Sequence, residues 1–173
     1  MLGFGAASPD PQLYRRVISR IIENIGVDKT DGIWDTVLRA VGHDAGLLRS
    51  TNVICIHKDR GDTRVSCRSI ALHAPAVRPW GVEFTLCGTP GCQHSRQDLS
   101  FKYDPRRVRA TCRKCLWRSG WVSERDVLEY VGRLNSKLPG VYWCEYPPPI
   151  ELRRIFVTAK REGDGELMDI DAQ

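Results

Sequence analysis

The chain lacks any long uninterrupted run of apolar residues. Among its 173 residues, no apolar stretch approaches the roughly 18 that a helix needs to cross a bilayer. The first residues, MLGFGAASPDPQ, also lack the basic start and long apolar segment of a secretory signal. The sequence therefore predicts an intracellular protein, nuclear or cytoplasmic, that does not bind membranes.

The sequence also lacks the motifs of several common catalytic sites. It contains no H-E-x-x-H, no H-x-E with P-C-x-x-C, no P-loop and no dinucleotide fingerprint. Cys144 could pair with a histidine as a nucleophile, but no neighbouring residue supports that chemistry. Acidic residues are available for a metal-dependent nuclease, yet no spacing singles out a pair among Asp31, Asp35, Asp44, Asp59 and Asp62. A binding protein is favoured over an enzyme, and a nuclease that uses a zinc ribbon to bind its substrate is an alternative.

Excess positive charge is confined to one segment. The net charge is +5, and residues 80–123 contain eight basic and three acidic residues, so the rest of the chain is neutral. The basic residues are Arg96, Lys102, Arg106, Arg107, Arg109, Arg113, Lys114 and Arg118. A patch of this kind suits a polyanionic partner, although a solvated basic surface is the simpler interpretation.

The same segment contains four of the seven cysteines, in two close pairs. The spacing is Cys87-x4-Cys92, then nineteen residues, then Cys112-x2-Cys115. In a reducing compartment, such pairs are more often metal ligands than disulfides. Four thiolates suit a tetrahedral zinc ion, and a closed four-ligand site is typically structural. We therefore predict one structural zinc ion, with His94 as a possible substitute for Cys92.

The residues around the cysteine pairs alternate as in β-hairpins. Val82, Phe84 and Leu86 alternate with Glu83 and Thr85, and TCRKC is followed by the aromatic stretch LWRSGWV. Residues 80–123 thus resemble the zinc ribbons, in which two knuckles on β-hairpins clamp one zinc ion. The first knuckle departs from the family pattern because four residues, not two, separate its cysteines. The resemblance implies binding to nucleic acid, or to proteins of the transcription, replication or translation machinery.

The basic segment 96–118 is the predicted nucleic-acid surface, for DNA or RNA. Strand alternation places Arg107, Arg109 and Thr111 on one face, while Trp117 and Trp121 either stack on bases or pack the ribbon onto the rest of the protein. Candidate phosphate contacts are Arg106, Arg107, Arg109, Arg113, Lys114 and Arg118. The alternative is a protein-interaction or assembly module, in which the ribbon is purely structural and the helical pair or the prolines at 147–149 meet a partner.

A second, less usual metal site is conceivable on the predicted strands NVICIHK and TRVSCRSIALH. Its ligands would be Cys55, His57, Cys67 and His73. The spacing matches no common zinc pattern, and a symmetric hairpin loop would not place Cys55 opposite Cys67. Since cysteine also behaves as a small buried hydrophobe, a structural role for these residues is favoured.

The predicted fold is α+β: an N-terminal helical pair, a small antiparallel sheet, and an inserted ribbon followed by a helix. Residues 1–161 are expected to form one domain, and the acidic stretch 162–173 a disordered tail. The first helix would start at Asp10-Pro11 and end at Gly26, and the second would start near Thr30 or Asp31. A helix from Ser123 to Pro139, a strand at 141–146 and a last strand at 150–160 complete the expectation.

Overall fold

The fold was analysed in a computed structural model that describes residues 1–5, 11–27, 32–42, 44–58, 61, 63–134 and 139–159. Within these residues it contains helices together with two antiparallel sheets, which confirms the α+β class. None of the helices in the described ranges is both long and apolar enough to cross a membrane. The α-helices are α1 (Pro11–Val27), α2 (Ile33–Val41), α3 (Ala45–Ser50), α4 (Glu124–Val127) and α5 (Ile150–Thr158). The strands are β1 (Leu2–Phe4), β2 (Val53–His57), β3 (Ser66–Leu72), β4 (Leu99–Asp104), β5 (Arg107–Cys112), β6 (Val122–Ser123), β7 (Val131–Arg133) and β8 (Val141–Glu145).

The larger sheet has the order β1-β2-β3-β8-β7, and every neighbouring pair is antiparallel. Its centre is β3, which pairs with β2 through Cys55↔Arg68 and with β8 through Ser69↔Cys144. Residues between β3 and β7 leave the sheet, and the chain returns to it at β7, which pairs with β8. This excursion contains the smaller sheet, of order β4-β5-β6, and both cysteine pairs.

One face of the large sheet is covered by the three N-terminal helices. Val53 and Ile70 point to this side, where they meet the apolar stripes of the helices. The first core consists of Val17, Ile21, Trp34, Val37, Ala40, Val41, Leu47, Leu48, Val53, Cys55, Ile70 and Val141. The helical pair was predicted, whereas the short α3 and the edge strand β1 were not.

The opposite face of the large sheet is covered by α5 and the inner face of the small sheet. Phe156 lies at the centre of this second core, with its ring centroid 4.8 Å from that of Phe84 and 5.5 Å from that of Phe101. The buried members are Trp80, Val82, Phe84, Val108, Ala110, Val122, Val127, Val131, Tyr142, Cys144, Leu152 and Phe156. The small sheet is thus packed onto the large sheet through an extensive apolar contact.

Several apolar residues of the first two helices are exposed. Ile18, Ile22 and Ile25 on α1 are 39%, 64% and 50% exposed, and Ile33 at the start of α2 is 41% exposed. Val17 and Ile21 of α1 are buried in the first core, and Leu13 and Tyr14 pack against it partly buried, so the apolar stripe of the helix is wider than the surface it covers. Asp10, Thr30 and Asp31, proposed as helix starts, lie outside the described residues.

The predicted helix from Ser123 to Pro139 is wrong beyond its first turn. Its capping box is present, since the Ser123 backbone N–H and hydroxyl both donate to the Asp126 carboxylate, at 2.7 and 2.8 Å. After Val127 the chain turns and forms β7 instead. Gly132 lies so close beneath Trp143 that an added Cβ would come within 2.2 Å of the indole. Pairing with β8 therefore overrides the helical spacing of the apolar residues.

The predicted last strand is wrong, because this segment forms α5. Leu152, Ile155, Phe156 and Ala159 recur at the spacing of one helix face and pack into the second core. The strand expected before Cys87 does not form either. The predicted alternation of buried and exposed side chains is nevertheless present, with Val82 and Phe84 buried and Glu83 exposed. The single domain at 1–161 stays a prediction, and the acidic tail 162–173 lies outside the described residues.

A histidine holds the backbone where the chain leaves the large sheet. Trp80 has φ +51°, a left-handed conformation that costs a side-chain-bearing residue about 1–2 kcal/mol. Its N–H donates to His73 Nδ1 over 2.7 Å, and its indole is buried in the second core. The imidazole also lies against the rings of Tyr103 and Tyr142. Only the neutral imidazole can accept this hydrogen bond, so protonation opposes the native conformation.

Acidification should therefore weaken the fold through His73. Burial lowers the pKa of His73 below its ordinary 6.5, and the nearby charge of Glu124 opposes this shift. A lowered pKa in the folded state means that this stabilisation is complete above pH 6.5 and is lost as pH falls toward the folded value. Urea unfolding at a series of pH values should show this loss. The slope should flatten in His73→Gln, and an unchanged slope would contradict the assignment.

The position of α5 predicts a large effect of truncating Phe156. Phe156→Ala should lower the free energy of unfolding by about 3–5 kcal/mol, because it removes a buried aromatic ring and leaves a cavity. Thr158→Ala, at an exposed position on the same helix, should cost far less. Chemical denaturation of the two variants checks this, and equal losses would show that α5 is not a core element.

Candidate metal centre and adjoining basic face

The first cysteine pair lies on a loop that is anchored in the second core. Val82 and Phe84 are buried there, and the chain then runs directly to Cys87. Gly91 has φ +72°, which a glycine adopts without strain and which turns the chain back before Cys92. The position of this knuckle is therefore determined by apolar packing a few residues earlier.

The second cysteine pair lies at the end of β5. Cys112 is the last residue of that strand, and its N–H donates to Trp117 O over 2.8 Å, closing a loop around Cys115. Leu116 has φ +61° and is largely exposed. The indole of Trp117 lies over the first knuckle, where a Cβ on Gly88 would come within 2.4 Å of it. Trp117 is thus a packing residue that holds the two knuckles together.

The four sulfur atoms converge. The Sγ atoms of Cys87, Cys92, Cys112 and Cys115 all lie within 4.8 Å of one another. The Cys87–Cys115 distance is 3.4 Å and the Cys92–Cys112 distance is 3.9 Å. Both are far longer than the S–S bond of about 2.05 Å in a disulfide. They are close to the edge of about 3.8 Å in a tetrahedron with metal–sulfur bonds of about 2.3 Å. This donor set fits a tetrahedral metal ion.

Without a cation, two of these thiols resist ionisation. Burial and the neighbouring thiols raise the pKa of Cys92 to about 12, and burial also raises the pKa of Cys87. Contact with the Thr89 hydroxyl, 3.2 Å from Cys115 Sγ, lowers the pKa of Cys115 to about 6. Cys115 is thus the first of the three to ionise. A bound divalent cation stabilises every thiolate and displaces the remaining protons.

His94 belongs to the support of the site, outside the sulfur cluster. Its Nδ1 lies 3.1 Å from Cys92 O and its Nε2 lies 2.7 Å from Thr85 O, so the ring bridges the two sides of the first knuckle. The Lys114 ammonium contacts Gln93 O, which links the second knuckle to the first. This geometry does not support His94 as a substitute for Cys92 in the metal site.

The small sheet has one apolar and one basic face. Val108, Ala110 and Cys112 point inward and are buried. The residues between them point outward, together with their partners on β4, through the pairs Ser100↔Thr111, Lys102↔Arg109 and Asp104↔Arg107. A bridge from Thr111 to Arg118 extends this surface. The name basic face is used below for Lys102, Arg107, Arg109, Arg118 and Trp121.

The ring of Trp121 makes cation–π contacts with two arginines. The guanidinium carbons of Arg107 and Arg109 each lie 4.7 Å from the centroid of its ring. Cation–π contacts of this kind restrict the arginine side chains. Arg107 also contacts Asp104, with its Nε 3.2 Å from a carboxylate oxygen. The predicted strand at 116–122 is largely absent, since β6 contains only Val122–Ser123.

The six predicted phosphate contacts fall into three groups. Arg107, Arg109 and Arg118 lie on the basic face, while Arg106 lies in the exposed turn between β4 and β5. Arg113 and Lys114 are exposed on the second knuckle. Lys102, directly opposite Arg109, was not among the candidates, although its place in the alternation of SFKYD could have identified it.

The second conceivable metal site does not form. Cys55 pairs with Arg68 and Cys67 pairs with Ile56, so the two cysteines point to opposite faces of the large sheet. Cys55 is buried in the first core, and His57 stacks on Trp34 with a centroid distance of 5.7 Å. The structural role favoured from the sequence is consistent with these positions.

No cluster of acids suggests a nuclease centre among the described residues, where the four cysteines form the one group able to hold a metal. The Asp44 carboxylate accepts from Leu47 N–H and caps α3. Asp31, Asp59 and Asp62 lie outside the described residues. Cys144 is buried in the second core, where burial raises the pKa of its thiol to about 11, unlike that of an activated nucleophile.

The chain matches no protein-family profile, no curated protein and no solved structure. Its functional interpretation therefore depends on the geometry of the residues themselves.

The sulfur cluster predicts one bound metal ion per chain. Elemental analysis of protein purified without added metal should give one equivalent for the wild type and a large loss for Cys115→Ser, which removes one of four donors. Cys67→Ser changes a cysteine outside the cluster and should retain the metal. A metal-free wild type with four reactive thiols in this segment would contradict the assignment.

Proposed function

We propose that the four cysteines bind one structural zinc ion, and that the ribbon organised by this ion binds nucleic acid through the basic face. The carrying observation is the placement of four cations on the outward face of a small sheet, where two of them lie against one tryptophan. The metal and the nucleic acid are separate parts of the proposal, and each has its own test.

Zinc is the metal that suits this donor set best. Thiolates are soft ligands, and four of them in a tetrahedral arrangement are characteristic of structural zinc. When all four positions are filled by cysteine, the ion has no open position for water or substrate. Its role is then to hold together two knuckles that are separated by nineteen residues of sequence. The ribbon would lose its shape without it.

The arrangement of charge on the basic face supports an anionic partner. Lys102 lies directly opposite Arg109 on neighbouring strands, and like charges in this position repel. Asp104 offsets one arginine and leaves a net positive surface. Phosphate groups would relieve the remaining repulsion and would release the counterions that surround nucleic acid.

Restraint of the arginines also favours binding. Because Arg107 and Arg109 already rest on Trp121, less side-chain entropy is lost when their guanidinium groups contact phosphate. Contacts of this kind position a nucleic acid without reading its sequence. The proposed activity is therefore largely sequence-independent. Trp121 serves it by orienting the arginines, which differs from the base stacking considered from the sequence alone.

The test is a binding titration with a labelled oligonucleotide at several salt concentrations. Log affinity should fall linearly with log salt, by about 0.7–0.9 for each phosphate contact. Lys102→Gln with Arg118→Gln removes two exposed cations from the basic face and should lower the slope by about 1.4–1.8. The fold should survive, since both side chains are exposed.

The matched control is Arg15→Gln with Arg16→Gln, which removes the same charge from the exposed side of α1. It should leave the slope nearly unchanged. Equal effects of the two double variants would indicate a general charge effect and would count against the basic face. Affinity that does not change with salt concentration would contradict the nucleic-acid proposal. The zinc proposal would still be tested separately, by the metal content of the purified protein.

A further inference from the structure

The large sheet ends in an exposed edge at β7. This strand pairs with β8 on one side, and the described residues place no strand on its other side. An edge strand presents unpaired backbone N–H and C=O groups, which can pair with an extended segment of another chain. β7 is short, so such pairing needs side-chain contacts beside it to be stable.

Two grooves adjoin this edge and provide such contacts. One, of about 530 Å³, lies between the turn before β7 and α5 and includes Ile150 and Ile155. The other, of about 380 Å³, is lined by β7 itself and by Trp143 and Pro149. Glu129 and Tyr130 line both grooves, so the two adjoin each other at the start of the strand.

Exposed apolar side chains lie at and beside these grooves. Leu128 is 51% exposed and Ile150 is 46% exposed, and each lines one of the grooves. Tyr146, which follows β8, is 44% exposed. Single exposed apolar residues are common on protein surfaces, but a group beside a groove marks an interaction site.

The grooves are acidic, in contrast to the basic ribbon. Glu129, Glu145 and Glu151 line them, and Arg154 is the one basic residue among the lining residues of the two. Burial, followed by the charges of Glu129 and Glu151, raises the pKa of Tyr130 at their junction. The negative charge is thus concentrated where the edge strand begins. Asp126 also lines one groove, but its carboxylate caps α4.

We propose that the β7 edge and its two grooves bind an extended, lysine- or arginine-rich segment of a protein partner, which adds as a strand to β7. Its backbone pairs with the edge, its apolar side chains enter the grooves, and its cations face Glu129, Glu145 and Glu151. The acidic rim selects against nucleic acid at this place, because phosphate would be repelled.

A second copy of the chain is a poorer occupant. A two-fold symmetric pairing of β7 with itself would bring two identical acidic grooves together. Like charges would then face each other without compensation. A basic partner segment satisfies the edge, the apolar residues and the charge at once. This site lies on the large sheet and does not depend on nucleic-acid binding by the basic face.

The test uses fluorescein-labelled short peptides in which lysine alternates with valine, measured by fluorescence anisotropy with the full-length protein. They should bind, whereas peptides in which glutamate alternates with valine should not. Glu129→Gln with Glu151→Gln should weaken binding about tenfold, or about 1.4 kcal/mol. Methylation of alternate peptide backbone nitrogens should also weaken it, because a methylated amide cannot donate to β7.

The charge-matched control is Glu23→Gln with Asp35→Asn, which removes two exposed acids from α1 and α2. It should keep peptide affinity within about twofold, a difference of a few tenths of a kcal/mol. Equal losses in the two double variants, equal affinity for the acidic peptide, or no binding of the basic peptide would each overturn the proposal. Self-association that Glu129→Gln with Glu151→Gln abolishes would overturn it in favour of a second copy.

Oligonucleotide binding by Glu129→Gln with Glu151→Gln should equal that of the wild type. Failure of the docking proposal and failure of the nucleic-acid proposal are therefore distinguishable. Loss of peptide binding in Lys102→Gln with Arg118→Gln would contradict the separation of the two surfaces.

Discussion

The pairing of β3 with β2 on one side and with β8 on the other is the constraint on which the structure depends. This pairing joins the N-terminal half of the chain to residues that follow the segment with the two cysteine pairs. It also creates a sheet that is buried on both faces, between the N-terminal helices and the layer formed by α5 and the small sheet. Without β8, β7 would lose its pairing partner and the second core would lose Tyr142 and Cys144.

The metal centre is connected to this sheet through the second core. The chain that leads to Cys87 is held by Val82 and Phe84, and Phe84 contacts Phe156 of α5. On the other side, β5 has its apolar face in the same core and ends at Cys112. Apolar packing thus brings the two knuckles near each other, and the four sulfur atoms complete the arrangement. Core packing and metal binding should reinforce one another, since each restricts the same loops.

The protein has two surfaces of opposite charge. The basic face lies on the small sheet, and the acidic grooves lie at the free edge of the large sheet. Surfaces of opposite sign on one small protein favour different partners and disfavour an exchange between them. In the two proposals, one surface holds a nucleic acid and the other a basic protein segment.

Sequence reasoning succeeded where a local pattern has one physical outcome. The Ser123–Asp126 capping box and the β2–β3 hairpin are examples, because short-range hydrogen bonds and strand alternation dictate them. It failed where tertiary contacts compete with local spacing. Val127 and Val131 are spaced for a helix, yet Gly132 pairs in a strand beneath Trp143. A glycine in the middle of a proposed helix was the available warning. Leu152 and Phe156 carried a helical period that the β-prone composition of IELRRIFVTAK concealed.

Residue type and spacing were enough to indicate which atoms can bind a metal and where the excess charge lies. Three further features depend on the folded structure. The four sulfur atoms converge, His94 lies outside their cluster, and Cys55 and Cys67 point to opposite faces of the large sheet. The acidic grooves beside β7 also depend on the fold, because their lining residues are spread between Asp126 and Thr158 along the chain. The physical reason is that register and packing are cooperative properties of the whole sheet, whereas spacing is local.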